Sequence, residues 1–285
     1  MITLNDAALL LQQGNVVAFP TETVYGLGAN ALNAAAVRRI YQLKGRPATS
    51  PLIVHVSSIE MARSLSAAWP AKAQDLALRH WPGPLTLVVP KAASIPDEVT
   101  AGLSTVGLRM PRHPLALELI RTAGLPLAAP SANKFTELSP TTADHVRAAF
   151  GDAVPVLDGG PCAVGLESTV VAVDADGSVR LLRPGMLVLE EAIAGAASEH
   201  ESPGMHHKHY SPRTARVVLV ESFDDAPPEA VLLFLSEDPE ACAARLYSVI
   251  HDLDAQGVKI IAIKLPHDPD PRWDAVRDRL RRAAG

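Results

Sequence analysis

Lys44 and Arg46 stand two positions apart in the irregular stretch Lys44-Gly45-Arg46-Pro47, where both can converge on one polyanion. Arginine offers a planar two-point fork and lysine a point charge, a pairing suited to phosphates. A helix C-terminus also favours a cation, which would account for Lys44 but leaves Arg46 without a task. Arg109 and Arg183 lie on or beside apolar strands, and a cation placed there wants an anionic partner. Hydroxyl-rich turns accompany them: Thr21-Glu22-Thr23, Ser131-Ala132-Asn133 and Glu167-Ser168-Thr169. Each could equally be a turn bonded to its own side chains. His55 sits on a strand, where a lone histidine is more often structural. Taken together, cations and hydroxyls at many strand ends describe a site for a polyanion with a small polar co-substrate.

Other chemistries are excluded by spacing. Gly26-Leu27-Gly28-Ala29-Asn30-Ala31 fits G-x-G-x-x-A, but five residues separate it from the preceding apolar run. No acid follows at the distance a ribose needs, so dinucleotide binding is disfavoured. There is no G-x-x-x-x-G-K-[ST] loop. The two cysteines, Cys162 and Cys242, lie far apart, which argues against a disulfide framework, a redox pair or a zinc site. His206-His207-Lys208-His209 resembles a metal tract, but Lys208 interrupts it and no acid or cysteine stands at ligand spacing, so no metal site is expected.

The elements that must position these groups follow from periodicity. Thr3 with Asp6 forms a capping box for a first helix with its apolar stripe at Leu4, Ala7, Ala8 and Leu11, ended by Gly14. A second helix begins near Asn33. Short apolar strands are expected at 16–20, 51–56, 85–90, 106–110, 126–129, 154–157, 168–173 and 179–182. Thr141 with Asp144 opens a further helix that ends at Gly151. The last three strands have no helices between them, so the sheet is expected to be mixed and the class α/β or α+β. Residues 198–212 have no apolar period and are bounded by proline, as a linker is. Beyond it, strands at 215–220, 231–235 and 259–265 alternate with helices at 239–255 and 272–284, a small α/β unit.

The hydrophobic fraction of 48% over 285 residues suffices for a packed core, so the chain is globular. The net charge of −5 is spread evenly along it, which argues against tight direct nucleic-acid binding. The first basic residue is Arg38 and no apolar stretch approaches 20 residues, so neither a signal peptide nor a membrane span is expected. A soluble, cytoplasmic protein is the expectation.

The motifs, in this order, resemble one family. They are Pro20-Thr21-Glu22-Thr23-Val24-Tyr25-Gly26-Leu27, the Lys44-x-Arg46 turn with Ser50-Pro51-Leu52-Ile53-Val54-His55, Pro82-Gly83-Pro84-Leu85-Thr86, Ser131-Ala132-Asn133, Glu167-Ser168-Thr169, Arg183-Pro184-Gly185, and Ser202-Pro203-Gly204-Met205 with His209-Tyr210. They look like the YrdC-like family, in its long two-domain form, the L-threonylcarbamoyladenylate synthases. The likeness is dense over residues 3–213 and continues in the closing pattern of the C-terminal unit, which looks shorter than the family norm.

The resemblance implies an open twisted mixed sheet over residues 1–199, a linker at 200–213 and a small Rossmann-like α/β domain at 214–285. It implies an enzyme, a nucleotidyltransferase that condenses L-threonine, bicarbonate or CO2 and ATP into threonylcarbamoyl-AMP and pyrophosphate, with Mg²⁺ accompanying ATP. The product would pass to tRNA-modifying threonylcarbamoyl transferase proteins. Carried over by position, Thr23, His55, Arg109, the Ala129 backbone and Ser168 would hold threonine, Arg109 taking its carboxylate. Lys44, Arg46, Ser50, Thr105, Ser131, Asn133, Ser139 and Arg183 would hold ATP, with Lys44 and Arg46 catalytic and Tyr210 closing over the nucleotide. An RNA-binding module of the same fold is the alternative reading. A carbamoyl-transferring maturation factor would carry a zinc finger, which two lone cysteines cannot form.

Overall fold

Residues 2–194 and 209–285 are described by the structure, a computed structural model. The N-terminal part is a nine-stranded mixed sheet. In chain order its strands are β1 (Val17–Phe19), β2 (Gly26–Asn30), β3 (Ile53–His55), β4 (Leu85–Pro90), β5 (Thr105–Arg109), β6 (Leu127–Ala128), β7 (Thr169–Val173), β8 (Val179–Arg183) and β9 (Ile193–Ala194). Their spatial order is β1-β2-β6-β3-β5-β4-β7-β8-β9. The β3/β5, β4/β7 and β8/β9 pairs are parallel and the others antiparallel. Central strands β3 and β7 are buried throughout, as uninterrupted apolar runs in a covered sheet should be.

Helices cover both faces. The capping box of Thr3 and Asp6 starts α1 (Leu4–Gln12), and Gly14 follows it with φ 78°. This helix packs with α6 (Pro114–Ala123) on a smaller core that includes Phe19 and Ile120. The larger core holds α2 (Ala34–Lys44), capped by Asn33, together with α3 (Ile59–Ser64), α4 (Ala71–His80) and α7 (Ala143–Phe150). A single turn, α5 (Asp97–Thr100), precedes β5.

The C-terminal part is a three-stranded parallel sheet of β10 (Arg216–Val220), β11 (Val231–Leu233) and β12 (Ile260–Lys264), in the order β10-β12-β11. It carries α8 (Pro239–Ala255) and α9 (Trp273–Ala284). One apolar cluster joins the two parts: Val24, Leu138 and Leu166 pack with Tyr210, Tyr247, Trp273 and Leu280. Among the described residues no helix is long and apolar enough to cross a membrane.

Two local expectations are corrected, and one strand was not foreseen. Residues 154–157 form no strand; Val156 makes one bridge to Ala18, because Pro155 has no N–H with which to extend the ladder. The helix expected from Thr141 is capped by Thr142, whose hydroxyl accepts from the His145 N–H. Gly26–Asn30, where no strand was expected, is one; its glycines make room for a ring, since a Cβ on Gly28 would meet Phe19 at 2.6 Å. Most of the expected linker, including Ser202 to Lys208, lies outside the described residues.

Candidate functional site

Parallel pairing of β3 with β5 sets His55 opposite Arg109 at the C-terminal ends of both strands. Arg109 is 4% exposed. Its Nη1 donates to Thr23 Oγ1 at 2.9 Å and its Nε to the Gly83 carbonyl at 3.3 Å. Nη2 lies 2.7 Å from Glu22 Oε1, a buried ion pair. The two atoms are not aligned as a hydrogen bond, so Nη2 keeps an N–H for another acceptor. The second Glu22 oxygen accepts the Arg112 N–H at 3.0 Å.

His55 Nδ1 is buried with no hydrogen-bond partner. Burial, and then the charge of Arg109, lower the imidazole pKa to about 3. His55 is therefore a neutral hydrogen-bonding group at physiological pH. It is too weak a base to take a proton from an ammonium. The Ala129 N–H is spent on the Ile53 carbonyl, so its own carbonyl is the group that can face a ligand.

The other end of the cavity begins where α2 stops. Gly45 adopts a left-handed cap with φ 64°, and the chain then turns Arg46 inward. Its guanidinium donates to Ser50 Oγ and to the Pro51 carbonyl, while Nε has no partner. Burial lowers its pKa to about 10, which leaves it cationic at neutral pH. Arg183 reaches the Ser168 carbonyl through Nε at 3.2 Å and Nη2 at 3.0 Å, and the Ser168 hydroxyl through Nη2 at 3.2 Å. That hydroxyl also bonds Thr86 Oγ1 at 2.8 Å. Tyr210 is 1% exposed and sits at φ 61°. A non-glycine residue held in this region is strained, and its neighbours hold it there through His209 N–H to the Arg282 carbonyl and Ser211 N–H to the Thr136 carbonyl.

These groups line one cavity of about 530 Å³, counting its open mouth. Thr23, His55, Arg109, Ala129 and Ser168 line it, as do Arg46, Ser131, Arg183 and Tyr210. Lys44 does not. Its buried ammonium donates to the Ser131 and Asn133 carbonyls, each at 2.6 Å, and to Asn133 Oδ1 at 3.2 Å. The structure thus gives Lys44 a different task from the polyanion contact expected of it: all three N–H bonds brace the 131–133 turn from behind. Asn133 is likewise committed, donating to the Lys134 and Glu137 carbonyls. Ser50 and Ser139 stand behind Arg46 and Glu167, which they bond. Thr105 is at the opposite end of β5, about 13 Å from Arg109 at the rise of a strand. It borders a narrow groove beside Thr86, Thr100 and Gly107.

Two carboxylates also belong to the site, although sequence reasoning gave neither a role. Glu22 pairs with Arg109, and Glu167 lines the cavity. Their motifs were visible, but an acid in a polyanion site argues against itself until its partners are seen. Burial raises the Glu167 pKa, yet Arg279 and Arg183 outweigh this and hold it below the usual range. Arg279 lies on α9, and nothing in an arginine-rich terminal helix distinguishes it from a solvated face. His209 also lines the cavity, as part of the run that sequence presented as a harmless histidine tract. Among the described residues, no three His, Cys, Asp or Glu side chains gather as a metal site.

A mixed sheet with buried cations and hydroxyls at its strand ends defines an α/β protein with a cationic, polar cavity. The Sua5/YciO/YrdC family, described as "Telomere recombination", matches residues 9–185, and the "Threonylcarbamoyl-AMP synthase, C-terminal domain" matches residues 182–285. The chain belongs to the Sua5/YciO/YrdC family. It is 39% identical to the threonylcarbamoyl-AMP synthase of Pyrococcus abyssi over 98% of this chain and 93% of that one. It is 49% identical to that of Bacillus subtilis over 76% of this chain and 66% of the relative. Among solved structures, P. abyssi Sua5 complexed with L-threonine superposes with a TM-score of 0.88 at 36% identity, covering 99% of this chain and 94% of that one. The fold alone is shared with E. coli YciO, at a TM-score of 0.57 and 20% identity, over 67% of this chain and 92% of that one.

Proposed function

We propose that the protein is a threonylcarbamoyl-AMP synthase, a nucleotidyltransferase acting on L-threonine, bicarbonate or CO2, and ATP. One observation carries the reading: Arg46 Nε, His55 Nδ1 and Arg109 Nη2 are buried, lack an aligned hydrogen-bond partner, and line one cavity. Buried polar atoms are nearly always bonded, so such a gathering is a site awaiting acceptors. The threonine-bound P. abyssi relative supports placing the amino acid here.

In this reading Arg109 takes the threonine carboxylate, with Glu22 and Thr23 fixing the plane of its guanidinium. Threonine's neutral amine adds CO2 to give a carbamate and loses a proton to solvent, since His55 is too weak a base; starting from bicarbonate, the same carbamate forms with loss of water. A carbamate oxygen then attacks the α-phosphorus of ATP. The new O–P bond forms as the bond to the bridging oxygen breaks, and pyrophosphate leaves. The protein positions the reactants and stabilises charge through Arg46 and Arg183.

Both nearby carboxylates are committed to arginines, so the described residues build no cage for Mg²⁺. An ion arriving with ATP would be held by its phosphates. The product, threonylcarbamoyl-AMP, would feed N6-threonylcarbamoyladenosine formation on tRNA by separate transferase proteins, a cytoplasmic task. The even negative charge favours this over an RNA-binding module. Pyrophosphate release from ATP, measured with and without threonine and bicarbonate, tests the reading. Release that ignores threonine refutes it.

A further inference from the structure

Glu167 presents a problem for any nucleotide site. It is a buried carboxylate, 7% exposed, on the wall of a cavity that must accept phosphates. An unpaired carboxylate there would repel the ligand. Its partners resolve the conflict, and two of the three come from the C-terminal sheet's helices. Arg279 Nε on α9 lies 2.9 Å from Glu167 Oε2, with the arginine side chain fully buried. Tyr247 on α8 donates its hydroxyl to the same oxygen at 3.1 Å. Ser139 Oγ donates to Oε1 at 2.5 Å. Arg279 also donates to the Pro184 carbonyl at 3.0 Å, next to Arg183, and its guanidinium sits 5.3 Å from the centre of the Tyr210 ring. Tyr247 stacks on the other ring neighbour of that group, Tyr210, at 5.8 Å.

The docking that permits this is close. Gly165, two residues before Glu167, has φ 77°, and a Cβ there would meet the Ala243 carbonyl oxygen of α8 at 2.3 Å. Only glycine lets the helix backbone come so near.

We infer that Arg279 and Tyr247 are positioning residues of the nucleotide site, and that the C-terminal part is there to neutralise and orient Glu167 so the cavity can accept a triphosphate. This deepens the synthase reading and rests on it. Arg279 touches no substrate. It acts through the Glu167 carboxylate on the cavity wall and through the Tyr210 ring.

The test is a double-mutant cycle in the full-length chain, read by the KM for ATP, the KM for threonine and calorimetric binding of ATP. Arg279→Met is expected to raise the ATP KM at least tenfold while the threonine KM stays within threefold. Adding Glu167→Gln to Arg279→Met removes the stranded charge and is expected to recover at least half of that loss on a logarithmic scale. Arg279→Lys keeps the charge and is expected to hold the ATP KM within about fivefold. It also serves if Arg279→Met does not fold. Equal rises in both KM values, no recovery in the double variant, or a lysine variant as impaired as methionine overturns the inference. The calorimetry separates the two proposals. If the unaltered protein binds ATP but releases no threonine-dependent pyrophosphate, the synthase reading fails, while the effect of Arg279 on ATP binding still decides this one.

Discussion

The two ends of the cavity hold buried arginines in different ways. At the end proposed for threonine, Arg109 is gripped by Glu22, Thr23 and Gly83, all within the large sheet and its turns. At the end proposed for the nucleotide, Arg183 ends β8 and Glu167 lies just before β7, but Glu167 is balanced from outside that sheet by Arg279 and Tyr247. The first end is set by strand register and is rigid once the sheet forms. The second is complete only when two separately built parts dock. Substrate recognition can thus be preorganised at one end and dependent on assembly at the other.

The largest effect should come from breaking the self-contained end. Arg109→Met strands the Glu22 carboxylate in the interior, which costs about 3–5 kcal/mol. A large fall in thermal stability, with loss of threonine binding, is expected; an unchanged melting temperature would mean the pair contributes nothing. Arg109→Lys keeps the charge but loses the planar grip. It should weaken threonine at least tenfold and ATP less, by calorimetry.

The docked end should be the one that acid loosens. His145 on α7 and His251 on α8 stack across the two parts with ring centres 4.0 Å apart. Burial, then the neighbouring His145, lower His251 to about 4, and burial lowers His145 too. Because these folded-state values lie below the ordinary 6.5, the unfolded chain binds more protons. Stability is therefore full above pH 6.5 and falls as pH drops toward 4, by roughly 3 kcal/mol for His251. His251→Gln should flatten the pH dependence of thermal unfolding across that window. His55 at the threonine end is also depressed, to about 3, and threonine affinity should show no histidine titration above pH 5.

Lys44 and Arg46 sharpen the contrast within the nucleotide end. Lys44→Met leaves the Ser131 and Asn133 carbonyls without their donor, at about 1–3 kcal/mol, so stability should fall along with ATP use. Arg46→Met removes a charge-assisted contact worth about 1.5–3 kcal/mol, so ATP affinity should fall by ten- to a hundredfold with a smaller change in melting temperature. Equal stability losses in both would make Arg46 another brace. The smallest effect is expected at Tyr210. Tyr210→Phe keeps the ring over Arg279 and should alter ATP affinity less than threefold, whereas Tyr210→Ala should cost more; equal affinities would reduce the ring to a spacer.

Much of the site was legible because it is local. A capping box, an αL glycine and apolar runs ending in hydroxyls mark where strands stop and ligands gather, and Thr23, Arg46, Ser131 and Ser168 could be read that way. Sequence could not show that Lys44 points behind the wall and Arg46 into it, because two residues on either side of one glycine differ only by a backbone turn. Nor could it show β2, whose alternation is hidden by glycines that accommodate Phe19. Composition and periodicity narrowed the class to α/β or α+β and marked the separate C-terminal unit and the cations at strand ends, since these depend on residue type and on neighbours in the chain. Only the tertiary structure decided that His55 faces Arg109, that Lys44 is a brace, and that Arg279 neutralises Glu167 from across the chain. Those facts depend on sheet register and on the docking of one part against the other. A buried charge has meaning only once its partner is in place.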